Sequence, residues 1–233
     1  MKTALVTGAN KGIGFDIAKE LLGDGYRVLV GARDKERGLA AVESLREFGN
    51  AELLLIDVAD LDSIHVAVET IMATYADLAL LVNNAGIPGD MHKVGWEFST
   101  QELLDTHLVD FIGPFELSKG LLPVIIANQG KILNVSIPIE PHAMFNAFAY
   151  QTAKAPLNVM TKAWGLNFMQ NDVPVEIFAV MPGAVSTDLN GNIQGDFVKT
   201  TEQAAKLIVD FTRDGVNHNG QVINFDGDLA DYK

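Results

Sequence analysis

The stretch Thr7-Gly8-Ala9-Asn10-Lys11-Gly12-Ile13-Gly14 follows the apolar run Thr3–Val6 and opens a helical pattern in which Ile13, Ile17, Leu21 and Leu22 share one face before Gly23 and Gly25. A glycine-rich turn between a buried strand and a helix N-terminus aims backbone N–H groups at whatever lies beyond the strand. Glycine permits turns and close approaches that a Cβ would block. Two readings follow: a cradle for a pyrophosphate, or an ordinary glycine-rich βα turn. The spacing G-x-x-x-G-x-G departs from the commoner dinucleotide spacing G-x-G-x-x-G, so its place between strand and helix says more than its glycines.

Outward from this turn the pattern repeats. Short apolar runs recur at Thr3–Val6, Tyr26–Val30, Leu53–Ile56, Leu78–Val82, Ile132–Val135, Val175–Val180 and Val222–Phe225. Their lack of polar alternation predicts strands covered on both faces. Between them, helices are predicted at Ile13–Leu22, Lys35–Glu47, Leu61–Tyr75, Gln101–Ala127, Ala149–Phe168 and Thr201–Thr212. The expected fold is α/β: a single Rossmann-type, doubly wound domain over residues 1–233, with a seven-stranded parallel sheet flanked by helices. Long irregular segments at 87–100, 137–148 and 182–200 each follow a predicted strand, on the rim where such sheets build their ligand crevice.

Composition narrows the function classes. The net charge of −13 opposes nucleic acid and anionic membranes, so neither is an expected partner, and any phosphate must be met by local donors. The chain has no cysteine, which removes disulfides, thiolate zinc sites and a cysteine nucleophile. Met1 to Ala9 is too short an apolar stretch for a signal-peptide core, and no run approaches the ~20 residues that span a bilayer. A soluble, cytoplasmic protein is expected. No second histidine stands at ligand spacing from His142, so no metal site is expected.

The second strand runs into Gly31-Ala32-Arg33-Asp34, where this class of sheet meets the adenosine ribose. Arg33, with Lys11 nearby, suits a ribose 2′-phosphate. Asp34 suits a free hydroxyl or, alternatively, caps the next helix. NADP(H) is favoured over NAD(H). Further along, Tyr150 and Lys154 lie four residues apart on a predicted helix and share a face. An ammonium beside the phenol is expected to lower its pKa and make Tyr150 an acid for ketone reduction or a base for alcohol oxidation. Ser136, closing the preceding strand, is placed to hydrogen-bond the reacting oxygen. Taken singly, a Tyr–Lys pair also decorates solvated helices, and a serine after a strand also caps or turns.

In family order over almost the whole chain, Thr7-Gly8-x-x-x-Gly12-x-Gly14, Asp57-Val58, Asn83-Asn84-Ala85-Gly86, Ser136, Tyr150-x-x-x-Lys154 and Pro182-Gly183-x-Val185-x-Thr187 resemble the short-chain dehydrogenase/reductase family. Ala9-Asn10-Lys11-Gly12-Ile13-Gly14 and Ala32-Arg33-Asp34 look in particular like the carbonyl reductases, which typically use NADPH. The resemblance implies cofactor contacts from Gly8, Asn10, Lys11, Gly12, Ile13 and Gly14, with Asp57 and Val58 near the adenine and Asn83, Ala85 and Gly86 on the ribose side. It also implies that Pro182, Gly183, Val185 and Thr187 hold the nicotinamide end, and that Tyr150 and Lys154 serve both cofactor and catalysis. Asp57 otherwise caps a turn, and Asn-Asn-Ala-Gly otherwise only ends a strand.

Two departures stand out. The family's usual asparagine in the long helix after the fourth strand, which supports a water-linked proton path to the lysine, aligns with Asp110. Aspartate accepts as the amide does but cannot donate, and it carries charge. Ser136 precedes Tyr150 by fourteen residues, about one more than is common in the family. The rim loops carry Pro138, Ile139, Pro141, His142, Met144, Phe145, Phe148, Met91, Trp96 and Leu189, which suit an apolar or aromatic carbonyl or alcohol substrate, a subunit interface, or core packing. The expected function is NADP(H)-dependent reduction of a ketone or aldehyde. The alternatives are an NAD(H)-dependent secondary-alcohol dehydrogenase and a non-catalytic NADP-binding regulator. The family is often a homodimer or homotetramer, with monomers among the carbonyl reductases.

Overall fold

Each of the seven apolar runs forms a strand in the computed structural model, which describes residues 1–142 and 145–230. The strands are β1 (Thr3–Thr7), β2 (Arg27–Ala32), β3 (Ala51–Leu55), β4 (Leu78–Asn83), β5 (Lys131–Val135), β6 (Glu176–Met181) and β7 (Val222–Asn224). All pair in parallel in the order β3-β2-β1-β4-β5-β6-β7, a Rossmann-type doubly wound sheet. The helices are α1 (Gly12–Gly23), α2 (Lys35–Leu45), α3 (Leu61–Thr74), α4 (Thr100–His107), α5 (Gly113–Ala127), α6 (Phe148–Gln170) and α7 (Thr201–Arg213).

Because strand side chains alternate between faces, each strand feeds two cores. Val6, Val30, Val82 and Val180 meet Ile17 and Leu21 of α1, Val42 and Leu45 of α2, and Ile208 of α7. On the other face Leu5, Leu29, Leu81 and Ile177 meet Ile64 and Ile71 of α3, Leu117 and Leu121 of α5, and Leu157 of α6. Double coverage explains the uninterrupted apolar runs. Truncating a fully buried member such as Leu81 to alanine costs about 2–5 kcal/mol in lost transfer energy and cavity.

The helix expected over 101–127 is not one α-helix. Residues Leu108–Ile112 form a π turn between α4 and α5, closed by the Gly113 N–H donating to the Leu108 carbonyl. The cause is local: Pro114 has no N–H to continue the ladder, and its ring crowds the carbonyl four residues back, that of Asp110. Gly113 is needed here because a Cβ would run into the Val58 carbonyl. Asp110 is fully buried in the middle of this turn.

β1 and β4 are neighbours, yet the chain leaves β1 toward β2 and returns at β4 on the other side. This reversal opens a crevice beyond the carboxyl ends of β1 and β4. Among the described residues, no helix is long and apolar enough to cross a membrane.

Candidate active site

The crevice is clasped from below. The Thr7 hydroxyl accepts from the Asn84 and Ala85 amides at 3.0 and 3.1 Å, and Asn84 Nδ2 donates to the Thr7 carbonyl at 2.9 Å. The glycine loop is therefore locked to the loop after β4. Gly8 and Gly12 have φ of +66° and +61°, which a side chain would strain, and a Cβ at Gly14 would collide with Asn84 Nδ2 and the Gly8 carbonyl. Lys11 caps α1 without a side-chain hydrogen bond, so the first amides of that helix have no side-chain cap. Among residues that sequence reading did not assign, Thr7 and Asn84 build this cradle. Their signal was their place at the ends of neighbouring strands.

Asn10, Lys11, Phe15, Arg37, Ala40, Ala41, Ser44 and Asp188 line a cleft of about 620 Å³ beside the glycine loop. Its lining carries the cations Lys11 and Arg37, and Tyr150 and Lys154 are not part of it. Arg33 is exposed at the end of β2. Asp34 is spent on α2: its carboxylate accepts from the Arg37 amide at 2.9 Å. Arg37, which lines the cleft four residues after Arg33, went unassigned from sequence. Lys11 is already paired, with Asp188 at 2.8 Å, a contact between the glycine loop and the loop after β6.

Asp57 does cap a turn, accepting from the Ala59 amide at 3.0 Å, while Val58 is buried. Asn83 does not turn its side chain to the crevice. It is buried and donates to Ser118 Oγ at 3.1 Å and Asn134 Oδ1 at 2.9 Å, so its side chain is engaged in the interior. Ala85 and Gly86 are partly exposed. After β6, Pro182 and Val185 are buried, Gly183 has φ +79°, and Thr187 caps a short 3-10 turn at Asp188–Asn190.

The reacting end is built on α6. Residues 150, 154 and 158 fall one turn apart on one face. Lys154 is almost fully buried; its ammonium donates to the Val135 carbonyl at 3.1 Å, stands 3.4 Å from Asp110 Oδ1 and lies 5.8 Å from the Tyr150 ring centroid. Asp110 Oδ1 also accepts from the Ile87 amide at 3.3 Å, while Oδ2 is buried with no protein partner among the described residues. A Cβ at Gly86 would stand 2.7 Å from Asp110 Oδ1 and 3.7 Å from both Lys154 Nζ and Tyr150 Oη, which places all four residues around one point. Ser136, at the end of β5, is buried; its amide donates to the Val180 carbonyl and its hydroxyl to Asn158 Oδ1 at 2.6 Å.

Electrostatics here differ from the expectation. The Tyr150 phenol is pushed above its ordinary value, first by burial and then by the Asp110 carboxylate. Part of the tyrosine stays exposed, but its hydroxyl lies beside Gly86 and the buried carboxylate, which sets the direction. The expected lowering by Lys154 is outweighed, since burial and the Asp110 carboxylate both disfavour the phenolate. Burial pushes the Asp110 carboxyl up to about 6, against the pull of Lys154 and the Ile87 amide.

The rim is partly apolar and open. Phe148 packs on Phe98 with centroids 5.9 Å apart and against Gly95, tying the 87–99 loop to the start of α6. Trp96 is 88% and Phe197 92% exposed on loops that follow β4 and β6. His142 and Phe145 exchange backbone hydrogen bonds, and Met144 lies outside the described residues.

Fold and crevice define a doubly wound, dinucleotide-binding α/β protein. Residues 2–196 match the family described as short chain dehydrogenase. The chain is 30% identical over 247 residues to the 3-oxoacyl-(acyl-carrier-protein) reductase of Chlamydia trachomatis, covering 98% of this chain and 97% of that one. It is 32% identical over 196 residues to an uncharacterized oxidoreductase of Bacillus subtilis, covering 83% and 70%. The structure of NADPH-bound carbonyl reductase from chicken fatty liver superposes with a TM-score of 0.88 at 22% identity, covering 100% of this chain and 99% of that one. A metagenomic short-chain oxidoreductase in complex with NADP gives 0.79 at 26% identity, covering 96% of each. The chain belongs to the short-chain dehydrogenase/reductase family and is an NAD(P)-dependent oxidoreductase acting on CH–OH and C=O groups.

Proposed function

We propose that this protein, acting as one domain over residues 1–233, uses NADPH to reduce an apolar or aromatic ketone or aldehyde, with Tyr150 as the proton donor. The observation that carries the reading is the gathering of Tyr150, Lys154 and Asp110 around Gly86, at the end of a crevice whose other end holds the glycine loop. The residues fit a nicotinamide dinucleotide: two positive-φ glycines and an uncapped helix start suit its pyrophosphate. The lack of a Cβ at Gly86 lets Asp110 Oδ1 approach its backbone beside Lys154 Nζ and Tyr150 Oη. Bound there, the reduced nicotinamide supplies the hydride to the carbonyl carbon.

The chain's own residues then do the rest. A phenol held above its ordinary pKa carries its proton through the neutral range and can donate it to the oxygen that gains charge. Lys154 is fixed by the Val135 carbonyl and Asp110, so its charge stands ready beside the ring and the cofactor ribose. Asp110, with an unpartnered buried oxygen, is the next station for a proton moving to Lys154. Ser136 steadies the substrate oxygen. Asp57, Val58, Asn83, Ala85, Pro182, Gly183, Val185 and Thr187 border the remaining length of the cofactor.

NADPH is preferred on charge grounds. Arg33 and Arg37 present cations at the ribose end, while the acidic residue that would select a free hydroxyl, Asp34, is occupied as a helix cap. A panel of ketones, aldehydes and secondary alcohols, followed by nicotinamide absorbance with NADPH and NADH, tests the reading. NADPH-linked reduction that is lost in Tyr150→Phe supports it; binding of NADPH without turnover on every substrate refutes it.

A further inference from the structure

Along α6, the residue one turn beyond Lys154 has no assigned role, yet it holds a short hydrogen bond at the reacting end. The Ser136 hydroxyl donates to Asn158 Oδ1 at 2.6 Å, and both residues are 1% exposed. We propose that Asn158 is a positioning residue that fixes the rotamer of Ser136 and the direction of its single hydroxyl proton; the inference rests on the reading of Ser136 as a participant in carbonyl reduction.

The number of protons available decides the matter. A serine hydroxyl has one proton and two lone pairs. With the proton given to Asn158, only the lone pairs remain for a second partner, and they suit the O–H of an alcohol or of Tyr150. A carbonyl oxygen has no proton to offer, so Ser136 can steady it only by swinging its own proton away from Asn158. Asn158 therefore sets how readily Ser136 changes from acceptor to donor as the substrate oxygen changes from hydroxyl to carbonyl. The backbone cannot relax to compensate, because the Ser136 amide is tied to the Val180 carbonyl at 2.9 Å and Asn158 sits in the middle of a long helix. Helical spacing joins Asn158 to the reacting pair. Tyr150, Lys154 and Asn158 form one stripe facing the end of β5, where Lys154 meets Val135 and Asn158 meets Ser136.

The test is a double-mutant cycle on the NADPH-linked reaction. Asn158→Leu is expected to lower kcat about tenfold, with NADPH affinity unchanged and the substrate KM within about twofold. In a Ser136→Ala background the same change is expected to have no further effect beyond about twofold, since the residue acts through the serine. Wild-type kcat in Asn158→Leu, or an equal loss in both backgrounds, overturns the proposal while leaving Ser136 itself in place. Full activity of Ser136→Ala removes the serine from the reaction and overturns both readings. If Asn158→Leu does not fold, Asn158→Asp decides. It is a charged acceptor at high pH and on protonation becomes a weaker acceptor with an O–H donor of its own, so kcat gains a new pH dependence that disappears with Ser136→Ala. An unchanged profile, or one that persists without Ser136, refutes the inference.

Discussion

The Lys154 ammonium and the Asp110 carboxylate stand 3.4 Å apart with both side chains almost wholly withdrawn from water. Two buried charges of opposite sign compensate each other, but neither escapes the cost of leaving water, and burial is the largest influence on Asp110. Burial therefore brings the Asp110 carboxyl close to neutrality, well above the ordinary carboxylate range.

That shift has a signature in stability. A carboxyl raised from 3.8 to about 6 keeps its proton in the folded chain where the unfolded chain has lost it. Its contribution is fullest below about pH 4, declines as pH rises toward about 6 and is constant above, a loss of about 3 kcal/mol. Asp110→Asn is expected to remove this decline. Urea unfolding of both proteins from pH 4 to 7 checks it, and parallel curves would rule out the assignment. The same variant should lose any ionisation near pH 6 from the kcat profile.

Gly86 is packed tightly against the groups of α6 and the π turn. Gly86→Ala introduces a methyl carbon 2.7 Å from Asp110 Oδ1 and within van der Waals reach of Lys154 Nζ and Tyr150 Oη. The expected result is a loss of kcat of about 100-fold or more, in line with the cost of misplacing reacting groups by an ångström. Circular dichroism should show the fold retained; near-normal turnover would mean that the reacting groups do not converge there.

Cofactor choice is expected to depend on Arg33. Arg33→Ala should raise the KM for NADPH by about 10- to 100-fold, the loss of charge-assisted bonds, and leave the KM for NADH nearly unchanged. Asp188→Asn acts in the opposite sense by releasing Lys11 from its 2.8 Å partner, and NADPH should bind about two- to fivefold tighter at low salt. Equal effects on both cofactors, measured by fluorescence titration, would place these side chains away from the 2′-phosphate.

The raised phenol gives the two directions different pH dependences. Reduction uses protonated Tyr150 and should be near its plateau at neutral pH. Alcohol oxidation needs the phenolate and should climb about tenfold per pH unit on the acid side of its optimum. Initial rates in both directions, followed from about pH 6 to about pH 10, check this, and coincident profiles would argue against Tyr150 as the titrating group.

Some of this was legible from residue order. The apolar runs marked seven strands because a doubly covered strand carries no polar face to confuse the pattern. Tyr150 and Lys154 were legible because a helix places residues four apart on one side whatever surrounds it. The glycine loop was legible through its place between a strand and a helix. Less accessible were contacts between distant segments. Lys11 and Asp188 are separated by 177 residues, and no local pattern joins them. Asn158 belongs to no motif, and only the approach of α6 to β5 gives it Ser136 as a partner.

By itself, then, residue order determined the alternation of strands and helices, the family pattern and the pairing of Tyr150 with Lys154, because each follows from spacing along one chain segment. Tertiary structure alone decided the charge balance. Pro114 opened a π turn that buries Asp110 against Lys154, and Asp34, Asn83 and Lys11 were engaged by neighbours. The phenol consequently rises in pKa where the isolated Tyr–Lys spacing predicts a fall. The reason is that Coulomb and desolvation energies depend on every group packed around a charge, and packing brings those groups from all parts of the chain.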